Sequence, residues 1–260
     1  MEIFPYASPW PPEWTGHRRP RRLLFGVFYL GALALLAAAG AAWQILYDDP
    51  GQALFFAGLA ALLGHVSALC VFAYRGGRRR PDTSGVRRTA AGLIFRYDGG
   101  ASYVLSATLA LVTLAGGVYT AVAATRGEYL PAALFGALTL VLLIFLVVLL
   151  RLMPGELVIG PEGVHHRGLT FTHFVPWIAL TSATPGWERG PVITIGFIGS
   201  PDTRSRRLLG SLMSAPETVS GRWLAADPSL ALRALKHYIA YPEHRWELTT
   251  EAALRRIAAA

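Results

Sequence analysis

Hydrophobic positions fall along this chain in two regimes. From Leu23 to Tyr47, Gly51 to Tyr74, Ala101 to Thr125 and Tyr129 to Leu150, apolar and small residues run without a single Asp, Glu, Lys or Arg. Each run exceeds the roughly 20 residues that carry a helix across a hydrocarbon core about 30 Å thick. They predict four transmembrane helices in two hairpins. After Gly155 the apolar residues come in short β-prone runs, ELVIG, VHHRG, LTFTHFV, PWIALTSA and VITIGFIG, punctuated by PEG, PG and GSPD. That pattern predicts an antiparallel β domain. Near the end, Asp227 is placed to cap a helix with Pro228 at its first position, and Leu230, Ala231, Leu235, Tyr238 and Ile239 form its apolar stripe. Pro242 ends that helix, and a second one, carrying Leu254 and Ile257, starts near Thr249.

The expected organisation is a Pro/aromatic tail over 1–22, a transmembrane hairpin over 23–74 and a basic cytoplasmic loop over 75–100. A second transmembrane hairpin follows over 101–152, then a cytoplasmic β-rich domain with C-terminal helices over 153–260. The tail, with Pro5, Pro9, Pro11 and Pro12 among Phe4, Tyr6, Trp10 and Trp14, lacks helical periodicity and reads as a disordered segment touching the headgroup region. Residues 155–260 carry their own strands and closing helix, so they are expected to fold alone.

Composition agrees with the spans. Of 260 residues 53% are hydrophobic and only 15% charged, and the mean hydropathy of +0.40 requires apolar surface to face lipid. A formal charge of +8 raises nucleic-acid binding, but the location of the charge removes it. Arg18, Arg19, Arg21 and Arg22 precede the first span, and Arg75, Arg78, Arg79, Arg80, Arg87, Arg88 and Arg96 lie between the second and third. The two other connections hold Asp48 and Asp49, and Arg126 against Glu128. Retention of arginine on the cytoplasmic side therefore places both termini in the cytoplasm. The excess of Arg over Lys, 23 to 1, with abundant Ala, points to a bacterial chain that crosses the inner membrane several times. Stacking aromatics are not interleaved with these arginines as single-strand recognition requires, so no nucleic acid is expected. Attraction to anionic headgroups accounts for Arg78, Arg79, Arg80, Arg87, Arg88, Arg204, Arg206 and Arg207 more economically, with membrane lipid as the partner.

Chemistry within the spans is sparse. His65 is the one ionisable side chain of the His, Asp, Glu, Lys or Arg type there, beside Ala60, Gly64 and Ala68, a small-residue strip at spacing four. On the third span Ser102, Ser106, Thr113, Gly117 and Thr120 share a face that packing explains better than a solute path. The fourth span, richest in Leu, Val, Ile and Phe, is expected on the outside of the bundle. The lone Cys70 permits no intrachain disulfide and no Cys-based zinc site.

His165, His166 and His173 invite a metal reading. Adjacent strand residues face opposite ways, and a tight turn at Arg167 and Gly168 is expected to leave His173 diagonal to, or displaced from, both other histidines. No metal and no cofactor is expected. The absence of a Walker-type loop, a nucleophile elbow or a His-Glu-x-x-His helix leaves no motif for a nucleotide or hydrolase site.

The segment Gly155 to Leu180, with Leu157, Ile159, Pro161, Gly163, Val164, Pro176, Trp177 and Ile178, resembles the opening of bacterial pleckstrin-homology-like domains in actinobacterial integral membrane proteins. The tail YPEHRWELTTEAALRRI resembles those of uncharacterised members of that group. The resemblance implies a small curved sheet or open barrel closed by a C-terminal helix, with Gly163, Pro176 and Trp177 as structural residues. It implies no ligand, because the first turn, Gly160 to Gly163, lacks the basic residues that bind phosphoinositides in eukaryotic relatives. These readings converge on a non-enzymatic inner-membrane protein that scaffolds or senses through a membrane-proximal interaction module with a protein or lipid partner. The alternative is an oligomeric small transporter, or a transporter subunit, built from copies of this chain.

Overall fold

The computed structural model describes residues 10–15, 21–47, 49–75, 85–168, 171–207 and 217–259, with the side chains of 207 and 259 left aside. The chain divides into two compact units. One comprises residues 19–74 and 100–151, and the other gathers 1–18, 75–99 and 152–260.

The first unit holds four helices, α1 (Arg21–Leu46), α2 (Pro50–Arg75), α3 (Gly99–Thr125) and α4 (Tyr129–Leu152), each long and apolar enough to cross a membrane. Their buried residues are mostly small, among them Ala37, Ala41, Ala53, Ser67, Thr113, Ala123 and Ala132. Phe28, Leu35, Leu54, Leu114, Leu130 and Val141 point outward and are more than half exposed. Such a surface needs an apolar surrounding, since its exposure to water would cost about 25 cal/mol per Å². Within the α1–α2 hairpin Ser67 Oγ donates to the Val27 carbonyl at 3.0 Å, and Gly40 lies against the Phe56 ring. In the α3–α4 hairpin Gly116 meets the Thr139 hydroxyl, and Tyr119 packs on Phe135 with ring centroids 4.4 Å apart. Along its length α4 has the largest share of exposed residues of the four helices and α2 the smallest, in line with the expectation for α4.

The second unit is an antiparallel two-sheet domain with C-terminal helices. Strands β1 (Val86–Thr89), β2 (Gly92–Arg96), β3 (Glu156–Ile159), β4 (Gly163–Arg167), β5 (Phe171–Pro176) and β8 (Arg204–Arg207) form one sheet in the order β1-β2-β3-β4-β5-β8. A smaller sheet runs β6-β7-β9, from β6 (Leu180–Trp187), β7 (Pro191–Phe197) and β9 (Thr218–Ser220). Period-two alternation decides which residues turn inward. Leu93, Phe95, Leu157, Ile159, Val164 and Val175 of the larger sheet join Ala183, Ile193, Ile195 and Val219 of the smaller in one core. Helix α5 (Pro228–Ala240) closes it with Leu230, Ala231, Ala234, Leu235 and Tyr238. Its N-terminus forms as the sequence implies, Asp227 accepting from the Ser229 N–H at 2.8 Å with Pro228 next in line.

Two segments correct the sequence reading. Residues 75–100, expected as a basic loop, contain the β1–β2 hairpin. Its register with β3 pairs Leu93 with Ile159 and Phe95 with Leu157, and Leu93 and Phe95 are fully buried. Gly92, at φ 122°, turns the chain where an L side chain would be strained. Beyond β2 the Ala225 N–H donates to Arg96 and the Asp98 N–H to Trp223, so this hairpin is bonded on both flanks of the domain. The hydrophobic gain from Leu93 and Phe95 outweighs the solvation of their arginine neighbours. Likewise the tail is not free at Trp10–Thr15. Pro12–Trp14 form a 3-10 turn, and Trp14 is only 2% exposed within the core.

The last helix, α6 (Glu251–Ala259), is tied down by a part-buried ion pair. Arg256 donates from Nε and an η nitrogen to the two carboxylate oxygens of Glu247 at 2.7 and 2.6 Å. Those hydrogen bonds hold the Glu247 carboxyl below the usual 4.5 against the opposing effect of burial. A depressed folded-state pKa stabilises the fold above the unfolded value and loses that contribution as pH falls through the folded one. E247Q is therefore expected to cost about 1–3 kcal/mol near neutral pH, with the gap to wild type closing in strongly acidic buffer. Denaturant melts followed by tryptophan emission report this directly, because Trp10, Trp14, Trp177, Trp187, Trp223 and Trp246 lie in this unit and only Trp43 lies in the other.

Candidate anion-binding sheet face

The outer face of the larger sheet is set by two cross-strand rows. One runs Arg87, Ile94, Val158, His165, Phe174, Arg204, and the other Arg96, Glu156, Arg167, Thr172, Arg206, each residue standing directly opposite its neighbour on the adjoining strand. Five arginines and one glutamate thus make up the charged members of these two rows, and Glu162 adds a second carboxylate at the groove below. Glu156 is committed to Arg167 at 3.3 Å, and Arg167 also donates to the Pro154 carbonyl at 3.1 Å. Arg87, Arg96, Arg204 and Arg206 are exposed.

At the β4–β5–β8 end the face dips into an open groove of about 440 Å³ lined by Glu162, His165, Thr172, Phe174, Arg204 and Arg206. Burial of its ring, partly offset by Glu156 and reinforced by Arg167, holds His165 below the ordinary histidine value. The imidazole is then mostly neutral near neutral pH, and the positive charge of the groove comes from the guanidinium groups. Two guanidinium forks at alternate positions of one strand, with Thr172 beside them in the groove, suit the oxygens of an anion.

The residues singled out from sequence separate in the structure. Arg204 and Arg206 stand on this face, and Arg87 on its far edge. Arg88 belongs to the opposite row, where its Nε meets Glu251 at 2.8 Å and an η nitrogen donates to the Thr249 carbonyl at 3.1 Å. Arg78, Arg79 and Arg80 and the Arg207 side chain lie outside the described residues. Arg96 and Arg167 were missed because their place on the face depends on which strands neighbour β3. Gly163 opens β4 with no room for a Cβ beside the Val175 carbonyl. Pro176 stands opposite it, and Trp177 packs in the core.

The histidine geometry differs from the expectation. His166 stands directly opposite His173 in the register of β4 with β5. Both side chains are inward. His166 Nε2 lies 2.8 Å from the Tyr97 hydroxyl, and the His173 ring lies against Phe197. Among the described residues no three His, Cys, Asp or Glu side chains converge to hold a metal ion.

Within the helices His65 Nδ1 is 2.7 Å from the Ala61 carbonyl one turn back. Ala60, Gly64 and Ala68 are half-buried, and nothing lies within 4 Å of a Cβ built on Gly64. The hydroxyls of Ser106, Thr113 and Thr120 donate to Ser102, Leu109 and Gly116 of their own helix, and Gly117 approaches the Thr139 methyl. These polar groups are satisfied locally. The chain matches no family model, no curated protein and no solved structure.

Proposed function

We propose that this chain is a non-enzymatic, multi-pass protein of a bacterial inner membrane whose cytoplasmic β domain docks its basic sheet face on anionic lipid headgroups, in a scaffolding or sensing role. The observation that carries the reading is the face itself, five arginines against Glu156, which is paired with Arg167, and Glu162 at the groove, in a domain whose chain passes directly into the apolar helices. Arg96 stands three residues before α3 and Glu156 four after α4, so the row of Arg96, Arg167 and Arg206 begins within a few residues of the spans. Each base near an anionic surface contributes about 1 kcal/mol within a Debye length of about 8 Å. The pleckstrin-homology-like character of the domain is part of the proposal, supported by its antiparallel sheets and closing helix. The transporter alternative draws less support, since His65 and the α3 hydroxyls are engaged by their own helices.

The test uses the full chain with Cys70→Ala and one new cysteine at a time. Cysteines at Asp49 and Gly127 should react with an impermeant thiol reagent in intact cells, and one at Ser205 only after lysis. In nanodiscs, a fluorophore at Ser205 should be quenched by headgroup-labelled lipid when the bilayer is anionic. That quenching should fade with added salt and in R96Q/R204Q/R206Q. Labelling of Ser205 in intact cells would overturn the orientation, and equal quenching in neutral and anionic bilayers would overturn the lipid-facing role.

A further inference from the structure

The segment Trp10–Thr15 is held in a way unlike the rest of the domain. Pro11 and Pro12 carry no N–H and cannot extend a sheet, and Pro11 sits at φ −50°, ψ 143°, near polyproline geometry. The attachment is made by two indoles instead. Trp14 Nε1 donates to the Gly186 carbonyl on β6 at 2.8 Å, and β6 is an edge of the smaller sheet. Trp10 Nε1 reaches the Asp227 carboxylate at 3.4 Å, at the cap of α5. The two rings meet edge to face, 5.7 Å between centroids.

These partners lie 172 and 217 positions away in sequence, and only five residues separate Thr15 from Arg21 at the start of α1. Proline-rich segments are commonly read in this manner, by indole-sized slots and side-chain hydrogen bonds with little loss of chain entropy. We infer that the seam between β6 and the start of α5 is a recognition slot for a proline-rich segment bearing two tryptophans four residues apart, with residues 10–15 as its releasable resident. The partner chemistry is that of the segment itself: one indole buried, one at the rim, and prolines that present them without strand pairing. An interacting chain with such a segment competes with the resident for the same seam.

The probe is a labelled synthetic peptide of residues 8–15, Ser-Pro-Trp-Pro-Pro-Glu-Trp-Thr, added to the full-length chain in detergent. W10A/W14A, whose own segment cannot fill the slot, is expected to bind the peptide saturably and to melt at a higher temperature as peptide is added. Wild type should resist it, because the resident competes at an effective concentration of about millimolar. A peptide with Trp14→Ala should bind about thirtyfold or more weakly, as loss of a central aromatic anchor implies. Folded W10A/W14A that does not bind, or wild type that binds equally well, would overturn the slot. If W10A/W14A is unfolded and peptide does not restore its melt, the segment is an integral piece of the core and the inference also fails.

Discussion

A fragment of residues 155–260 is expected to remain without cooperative structure, although it holds seven of the nine described strands. Separated from β1 and β2, it leaves β3 as a bare edge and removes Leu93 and Phe95, both fully buried. Loss of buried side chains of this size costs about 2–5 kcal/mol each, which together rivals the 5–15 kcal/mol that a typical domain has in reserve. Joining residues 85–98 to Gly155 should restore folding. The Tyr97 N–H already donates to the Gly155 carbonyl at 2.9 Å, so a short Gly-Ser link can replace α3 and α4 without moving either end. Circular dichroism and urea melts of the two fragments decide the matter. Cooperative melting of 155–260 alone would show that the hairpin is dispensable.

The second large effect is expected at Trp177. Its indole is 7% exposed, donates to the Gly160 carbonyl at 2.8 Å and lies under the Arg245 guanidinium, 4.5 Å from the ring centroid. Truncation to alanine removes the filling of the corner between β5 and β6 and leaves that carbonyl without its donor. Trp177→Ala should cost about 3–5 kcal/mol in a denaturant melt of the full chain. Ile178 is the internal control. It is 83% exposed, and Ile178→Ala should change stability by less than about 0.5 kcal/mol. Similar values for the two variants would remove Trp177 from the core.

The neighbouring pair illustrates how far a linear pattern reaches. The Pro-Trp-Ile run marks a corner, yet nothing local says which of two adjacent large residues turns inward. The helices are the opposite case. A charge-free run longer than a bilayer's thickness is a property of consecutive residues, so α1 to α4 were legible to within a few positions. The Asp227–Pro228 cap and the stripe of α5 were equally so, because capping and helical period act within a few residues.

On the candidate face, Arg204 and Arg206 announce a shared side by their spacing of two. Their company of Arg96 and Arg167 does not follow from any window, since it requires the order β2-β3-β4-β5-β8. Arg88 shows the reverse error. Within an arginine cluster it looks like one more solvated base, and only the return of α6 supplies Glu251. The pairing of His166 with His173 turned on the register of β4 against β5, where a slip of one residue exchanges the faces.

The sequence by itself therefore determined the four apolar helices, the change to β structure after Gly155 and the capped helix α5, each of them the outcome of interactions within a turn or two of the chain. The tertiary structure alone decided that residues 86–96 complete the sheet, that Trp14 enters the core, and which arginines gather on one face. Those outcomes depend on contacts between segments tens to hundreds of residues apart. Whether such contacts form is settled by the apolar surface they bury against the entropy of closing the intervening chain, a balance that no local pattern records.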